Sequence, residues 1–295
     1  MSWRIVVIAS RAKLDLQLGY LVVRGESVKK IHLSEISILI IESTEVSLTV
    51  ALMAELVVCK IKVIFCDAQR NPCSELIGYY GSHDTSSKIK MQLAWTAENK
   101  SSIWTEIVRA KIQRQKEVLE HLARDEAVLL EQYLQQLLPD DASNREGHAA
   151  KVYFNAMFGS DFTRAADCPI NAALNYGYAL LLSACNREIT ANGYITQLGL
   201  HHSNMFNVFN LGSDIMEPLR PFIDMAVYKL WYEGRLWEFA KEEKLLVINA
   251  LNQTVMLNGK KQVLNYAIRQ YCKSVFDALN EDDISMLRFC GFVEF

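Results

Sequence analysis

The hydrophobic pattern of this chain changes near residue 78, and this change limits the folds that the chain can adopt. Before it, from Trp3 to Asp67, β-branched residues cluster in short runs that favour strands. Between residues 78 and 87 the composition shifts to Gly, Ser and polar residues, which is typical of a linker. Beyond it, a long helical pattern begins at Lys88. The sequence therefore predicts an α+β chain, with a small β-rich domain at 1–77, a linker at 78–87 and a larger all-α domain at 88–295.

The spacing of apolar residues predicts several helices with defined limits. Within the N-terminal half, residues 45–56 have apolar residues at helical spacing, and Thr44 is a possible N-cap. The C-terminal half continues with apolar periodicity and polar or proline starts, which predict helices at 144–158, 169–190, 213–233, 237–246 and 259–280.

The charge and the cysteines restrict the classes of function. A formal net charge of −3 gives no overall attraction for nucleic acid, so DNA binding would depend on local basic clusters or on a partner. Seven cysteines without a paired spacing indicate reduced thiols, and the cytoplasm is the expected compartment. The apolar runs are shorter than the about 20 residues that a membrane-spanning helix needs, so no membrane association is expected.

Acidic and imidazole side chains stand in three separate parts of the sequence. Glu146 comes first, His201 and His202 form a pair, and Asp214 and Glu217 follow three residues apart. If the fold brings them together, their oxygen and nitrogen donors suit a divalent metal that activates phosphodiesters.

Each of these parts also has a simpler explanation. Glu146 lies three residues after Ser143, which is the spacing of a capping box. Adjacent histidines on a turn are commonly surface residues. The two later acids share one side of a helix with Arg220, as in a solvated row of ion pairs.

Basic residues are frequent in the long helix and are interpreted as a solvated face, because acidic residues are interspersed among them. They are Lys88, Lys90, Arg109, Lys111, Arg114 and Lys116.

Four motifs, in their order and spacing, resemble the CRISPR-associated adaptation integrase Cas1. They are Ser143–Phe154, Pro169–Tyr178, Gly199–His202 and Ser213–Asp224. Two N-terminal segments are similar to the type II branch of that family, namely Ile31–Ile36 and Val63–Asp67.

The resemblance implies an N-terminal β domain joined to an α-helical catalytic domain. It also implies that Glu146, His202 and Glu217 are the catalytic residues and the metal ligands. His202 is preferred to His201 because of its spacing from the Asp-Ile-Met-Glu motif, and Asp214 matches a further acidic position whose direct ligation stays open. The expected metal is Mg²⁺ or Mn²⁺.

The activity that the resemblance implies is DNA integration in antiviral defence. A 3′ hydroxyl of a captured fragment, the prespacer, attacks a phosphodiester of the CRISPR repeat, and water can replace the hydroxyl to give cleavage. The implied partners are double-stranded DNA, a second copy of the chain, the companion protein Cas2 and, in type II systems, the effector nuclease and an accessory protein. The alternatives are a non-catalytic nucleic-acid scaffold and a metal-dependent phosphoesterase.

Overall fold

The structure is a computed structural model that describes residues 4–68, 70–76, 78 and 82–293. Its contacts divide the chain into two compact units, Met1–His83 and Asp84–Phe295. Residues 79–81 of the predicted linker lie outside the described residues, and residues 85–87 form the first turn of a helix. The limits of the linker therefore stay a prediction.

The described residues of the first unit form two four-stranded sheets and one helix. One sheet has the order β1-β5-β7-β8, with β8 antiparallel to β7 and the other neighbours parallel, and the second has the order β4-β3-β2-β6. The strands are β1 Arg4–Ile8, β2 Ala12–Gln17, β3 Tyr20–Arg24, β4 Val28–His32, β5 Ile36–Ile41, β6 Val46–Leu48, β7 Lys62–Cys66 and β8 Pro72–Leu76.

Strand β5 explains why this half of the sequence is so rich in β-branched residues. All six of its residues are buried, because it lies between two parallel neighbours and both of its faces are covered. Leu14, Leu21, Leu52 and Val63 belong to the same core. The prediction of a mainly β N-terminal region is confirmed.

The helix predicted at 45–56 is shifted in the structure. Residues 46–48 form β6, which pairs in parallel with β2, and helix α1 (Val50–Val58) follows. Thr49, not Thr44, caps this helix, and its side-chain oxygen accepts a hydrogen bond from Leu52 N at 3.3 Å. The prediction was wrong there because pairing with a strand distant in sequence outweighs local helical spacing.

The second unit is mainly helical, as predicted. The long helices α3 and α6 pack against most of the others. The helices are α2 Thr85–Ala94, α3 Ala97–His121, α4 Ala127–Gln135, α5 Arg145–Phe158, α6 Pro169–Ala191, α7 Asn210–Met216, α8 Arg220–Tyr232, α9 Lys241–Asn249 and α10 Leu264–Glu281. A 3₁₀ turn, Glu217–Leu219, joins α7 to α8. Within the described residues, no helix is long and apolar enough to cross a membrane.

A three-stranded sheet corrects the expectation that this domain is entirely helical. It consists of β9 Thr254–Leu257, β10 Lys260–Val263 and β11 Gly291–Phe292, in the order β10-β9-β11. The helix predicted at 259–280 begins only at Leu264. Asn258 and Gly259 have φ of 52° and 70°, which is the backbone of a two-residue hairpin turn, so the Asn-Gly pair was the missed signal.

Candidate active site

Helix α3 carries a lysine on its buried face. Lys111 is 5% exposed and follows Trp104, Ile107 and Val108 at helical spacing, all of them buried. The interpretation of the basic residues of this helix as a solvated face is therefore wrong for Lys111. The signal that could have found it is its place on the apolar stripe of the helix.

Two carboxylates from different helices meet at the Lys111 ammonium. Glu146 from the first turn of α5 forms an ion pair with Lys111 Nζ, and Glu217 Oε2, from the joint between α7 and α8, lies 2.5 Å from the same atom. Glu217 is 3% exposed, so it does not belong to a solvated row of ion pairs. The structure thus brings together two of the acids that the sequence singled out.

Glu146 reaches this position because another residue caps its helix. The Asp141 carboxylate accepts hydrogen bonds from the backbone N–H groups of Arg145 and Glu146, at 2.7 and 3.0 Å. Ser143 instead donates to the carbonyl of Gln136 at 3.2 Å. The capping box between Ser143 and Glu146 is not formed, and the carboxylate of Glu146 turns towards the buried lysine.

Asp214 organises the turn that bears the two histidines. It is completely buried, and its carboxylate accepts hydrogen bonds from the backbone N–H groups of Leu200, His201 and His202, at 2.6, 3.2 and 3.1 Å. Its Oδ1 also lies 2.5 Å from Nδ1 of His202. Both carboxylate oxygens are therefore used to hold the turn and the imidazole, as in the outer-shell carboxylates that orient metal-binding histidines.

The two histidines have different surroundings. The His201 ring stacks on Trp104 with centroids 4.6 Å apart, and its Nδ1 lies 3.3 Å from Asp140. The His202 ring is turned 89° from that of His201. Since Asp214 engages Nδ1 of His202, Nε2 is the nitrogen available for a ligand.

The charges of the site stabilise one another. Burial opposes the charge of Lys111, but the attraction of Glu217 and Glu146 outweighs it and raises the lysine pKa. The charge of Lys111 in turn lowers the pKa of Glu146 against the effect of burial. The hydrogen bond to Asp214 raises the pKa of His202, with smaller contributions from the two glutamates.

A polar cluster supports Glu217, and the sequence indicated only its Arg220. Arg220 Nη2 lies 2.8 Å from Glu217 Oε1, and its guanidinium lies 4.6 Å from the centre of the Tyr178 ring. The Tyr178 hydroxyl donates a hydrogen bond to Asp224. Burial raises the pKa of Asp224 to about 7, although this hydrogen bond opposes the shift. Arg220 follows Glu217 at the i,i+3 spacing that the sequence indicated, whereas Tyr178 joins the cluster only through the packing of α6 on α8.

The donor atoms of the site suit a divalent cation. In the part of the chain that the structure describes, no group of three or more His, Cys, Asp and Glu side chains is arranged to hold a metal ion. The Lys111 ammonium lies where Glu146 and Glu217 meet, so this place already favours positive charge. Two carboxylates and the Nε2 of His202 are the oxygen and nitrogen ligands that Mg²⁺ or Mn²⁺ accepts.

Gly199 lies where the histidine turn packs closely against Asp214. A Cβ at this position would be 2.4 Å from the carbonyl oxygen of His202 and 2.6 Å from Asp214 Oδ2. We expect Gly199→Ala to displace the turn and to lower the free energy of unfolding by about 1–3 kcal/mol, the usual cost of overpacking. Thermal unfolding measures this cost. Gly25→Ala is the control, because its Cβ would make contacts of 3.4 Å or more, and an equal destabilisation of both variants would contradict the expectation.

Comparisons with known proteins agree with this architecture. The family model of the CRISPR associated protein Cas1 matches residues 5–258. The CRISPR-associated endonuclease Cas1 of Neisseria meningitidis serogroup C (strain 8013) is 38% identical over 239 residues, which cover 80% of this chain and 78% of that protein.

Solved structures show the same fold at lower sequence identity. A casposase bound to integration product has a TM-score of 0.78 at 19% identity, over 96% of this chain and 92% of that one. A chain of a Cas6-RT-Cas1–Cas2 complex has a TM-score of 0.73 at 17% identity, and the match covers 96% of this chain but only 36% of that chain. From the family match and the relative at 38% identity, the chain belongs to the Cas1 family of CRISPR-associated endonucleases.

Proposed function

We propose that this chain is the DNA integrase and endonuclease of CRISPR adaptation, and that Glu146, His202 and Glu217 form its catalytic site. The reaction joins a 3′ hydroxyl of captured DNA to a phosphodiester of the CRISPR repeat, and the 3′ oxygen of the cut repeat strand leaves. The observation that carries the proposal is the meeting of two carboxylates from separate helices beside an imidazole whose second nitrogen is available.

The three residues are proposed as the ligands of Mg²⁺ or Mn²⁺. Endonucleases of this family are generally metal-dependent. When bound, the metal would neutralise charge at the reacting phosphate and help to activate the attacking hydroxyl or water. Asp214 holds His202 in one orientation, and Arg220 holds the second oxygen of Glu217. These contacts arrange the ligands before the DNA arrives.

The proposed partners are double-stranded DNA, a second copy of the chain and Cas2. The complex that contains Cas1 and Cas2, with a chain of the same fold, supports the last of these. Assembly with partners would also compensate for the net charge of −3, because basic surfaces of several subunits can follow one duplex. In a type II system the effector nuclease and an accessory protein are further proposed partners. Within the described residues no cysteine forms a disulfide, which is typical of the cytoplasm that we propose as the compartment.

An integration assay tests the proposed function. The purified chain is mixed with Cas2, a short duplex with free 3′ hydroxyls and a plasmid that carries a leader and a repeat. We expect strand joining that requires Mn²⁺ or Mg²⁺ and that stops when a chelator is added. DNA binding that a chelator leaves unchanged, without joining, would favour a non-catalytic scaffold. Turnover of a small phosphoester without duplex DNA would favour a phosphoesterase.

Metal affinity should increase with pH. The pKa of His202 is raised by Asp214, so at low pH its imidazole is protonated and cannot bind a metal. As the pH falls through this raised pKa, we expect the affinity for Mn²⁺ to fall by up to about tenfold per pH unit. The metal-free protein should behave oppositely, since the His202–Asp214 pair stabilises it fully below the unfolded pKa and less as the pH rises. Calorimetric titration between pH 6 and 8 measures the affinity, and His202→Asn should remove most of its slope.

A further inference from the structure

The two carboxylate oxygens of Glu217 lie at different cations. Oε2 lies 2.5 Å from the Lys111 ammonium, and Oε1 lies 2.8 Å from Nη2 of Arg220. A guanidinium can bind both oxygens of one carboxylate through its fork of N–H groups. The orientation of the Arg220 guanidinium therefore decides which oxygen of Glu217 is left for another ligand.

The Arg220 guanidinium is oriented by an aromatic ring. Its Nε is buried and has no hydrogen-bond partner among the described residues, so no hydrogen bond fixes that edge. The guanidinium carbon instead lies 4.6 Å from the centre of the Tyr178 ring, within the range of a cation–π contact. Tyr178 comes from α6 and is 7% exposed, so the core restricts its ring. The position of Arg220 thus depends on Tyr178.

Two further contacts hold the Tyr178 ring. Its hydroxyl donates a hydrogen bond to Asp224, which is 1% exposed and lies one turn after Arg220 on α8. The guanidinium of Arg164 also lies over the ring, 5.4 Å from its centre, and donates to Asn175 Oδ1 at 2.6 Å. The ring is therefore held both at its hydroxyl and over its face.

Asp224 gives this cluster a negative charge that depends on pH. Burial raises its pKa to about 7, against the hydrogen bond from Tyr178 and the attraction of nearby cations. Burial also opposes the charge of Arg220, but the attraction of Glu217, with a smaller contribution from Asp224, outweighs it and raises the Arg220 pKa. An ionised Asp224 therefore offsets part of the Arg220 charge at Glu217. The groups that act on the Asp224 carboxyl are the hydroxyls of Tyr153 and Tyr178 and the cations Arg220, Arg164 and Lys111.

We propose that Tyr178 and Asp224 are positioning residues of the metal site, which keep Arg220 on Oε1 of Glu217 and so reserve Oε2 for the metal. The inference rests on the proposed function, because it takes Glu217 as a ligand. If the ring is lost, the guanidinium can turn and pair with both oxygens of Glu217, and it then competes with the divalent cation. Neither positioning residue needs to touch the metal or the DNA.

Binding of Mn²⁺ to the full chain without DNA tests the role of the ring. The affinity is measured from the EPR signal of free Mn²⁺. Tyr178→Leu should weaken binding by about 10–100-fold, the loss that is typical when an outer-shell partner is removed. Tyr178→Phe keeps a ring over Arg220, so its loss should be smaller.

Tyr176→Leu is the matched control on the same helix. Tyr176 is 3% exposed, and its ring has the Lys244 ammonium 5.5 Å from its centre, but Lys244 lies on α9. This variant also loses a buried tyrosine beneath a cation, and it should bind Mn²⁺ like the wild type. Thermal unfolding shows whether each variant is folded.

Asp224→Asn tests the role of the charge. Asparagine keeps an acceptor for the Tyr178 hydroxyl but does not ionise. Because the pKa of Asp224 is about 7, the variant and the wild type should bind Mn²⁺ almost equally at pH 6, and the variant should bind more weakly at pH 8. His202 titrates in both proteins, so the ratio of the two affinities isolates Asp224. A role in packing alone would give a ratio that does not change with pH.

Three results would overturn the inference. They are equal affinities of the wild type and folded Tyr178→Leu, a loss in Tyr178→Phe as large as that in Tyr178→Leu, and an affinity ratio for Asp224→Asn that is independent of pH. A wild-type protein that binds Mn²⁺ but does not join DNA in the integration assay would overturn the proposed function instead. A wild-type protein that binds no Mn²⁺ would overturn both.

Discussion

Glu217→Gln should abolish metal-dependent strand joining while the protein remains folded. Glutamine keeps the size of the side chain but removes the negative charge, so one proposed ligand of the metal becomes a weak neutral donor. Removal of an outer-shell partner of a metal site costs about 10–100-fold in affinity or activity. The loss of a direct ligand should exceed that, so we expect the joining rate to fall by more than about 100-fold. Glu146→Gln should give a loss of the same order.

The control for this experiment is a buried carboxylate outside the site. Glu188 on α6 is 5% exposed and pairs with Arg187, so Glu188→Gln also removes a buried negative charge. It should change stability but not joining per folded molecule. Joining by Glu217→Gln at the wild-type rate would remove Glu217 from the reaction.

Lys111→Met should make the stability of the protein depend on divalent metal. In the metal-free protein this substitution leaves Glu146 and Glu217 without the buried ammonium that both contact. Removal of one partner from a buried ion pair costs about 3–5 kcal/mol, and the partial exposure of Glu146 places the expected loss near the lower end. A divalent cation restores the missing charge, so Mn²⁺ should raise the melting temperature of Lys111→Met more than that of the wild type.

Lys116→Met is the matched variant on the same helix. Lys116 pairs with Glu120 and Glu131, both of which are about half exposed, so its replacement should have little effect on stability or on the response to Mn²⁺. Differential scanning calorimetry with and without Mn²⁺ measures both quantities. Equal stabilisation of Lys111→Met and Lys116→Met by Mn²⁺ would exclude Lys111 as the cation that the metal replaces.

The parts of the fold that the sequence predicts are those with strong local periodicity. The buried strand β5 and the helices α5 and α6 follow directly from runs of apolar residues at spacing two or three to four. Residues 46–48 and 260–263 form strands instead of helix because they pair with partners elsewhere in the chain or across a tight turn. Local periodicity does not contain that information.

The candidate site likewise has a part that the sequence predicts and a part that depends on contacts between distant residues. Motif order singles out Glu146, His202 and Glu217. The sequence does not show, however, whether each residue instead has a simpler structural role, such as a helix cap, a surface histidine or an exposed ion pair. Asp141, not Ser143, caps α5. The carboxylate of Asp214 makes four hydrogen bonds to the histidine turn. The sequence analysis did not identify Lys111 as a buried residue. A lysine among other charged residues is normally exposed, and only the buried face of α3 shows that Lys111 is not. These assignments depend on packing between helices.

The cap of α5 also bears on how members of such a family can diverge. Because Asp141 satisfies the free N–H groups at the helix start, the hydroxyl of Ser143 is not needed to aim Glu146. We therefore expect position 143 to tolerate substitution more readily than position 141, because a change at Asp141 would remove the acceptor of the Arg145 and Glu146 N–H groups and move a carboxylate that is a proposed metal ligand. Two neighbouring polar residues that look interchangeable in a sequence are thus expected to differ in how strongly selection acts on them.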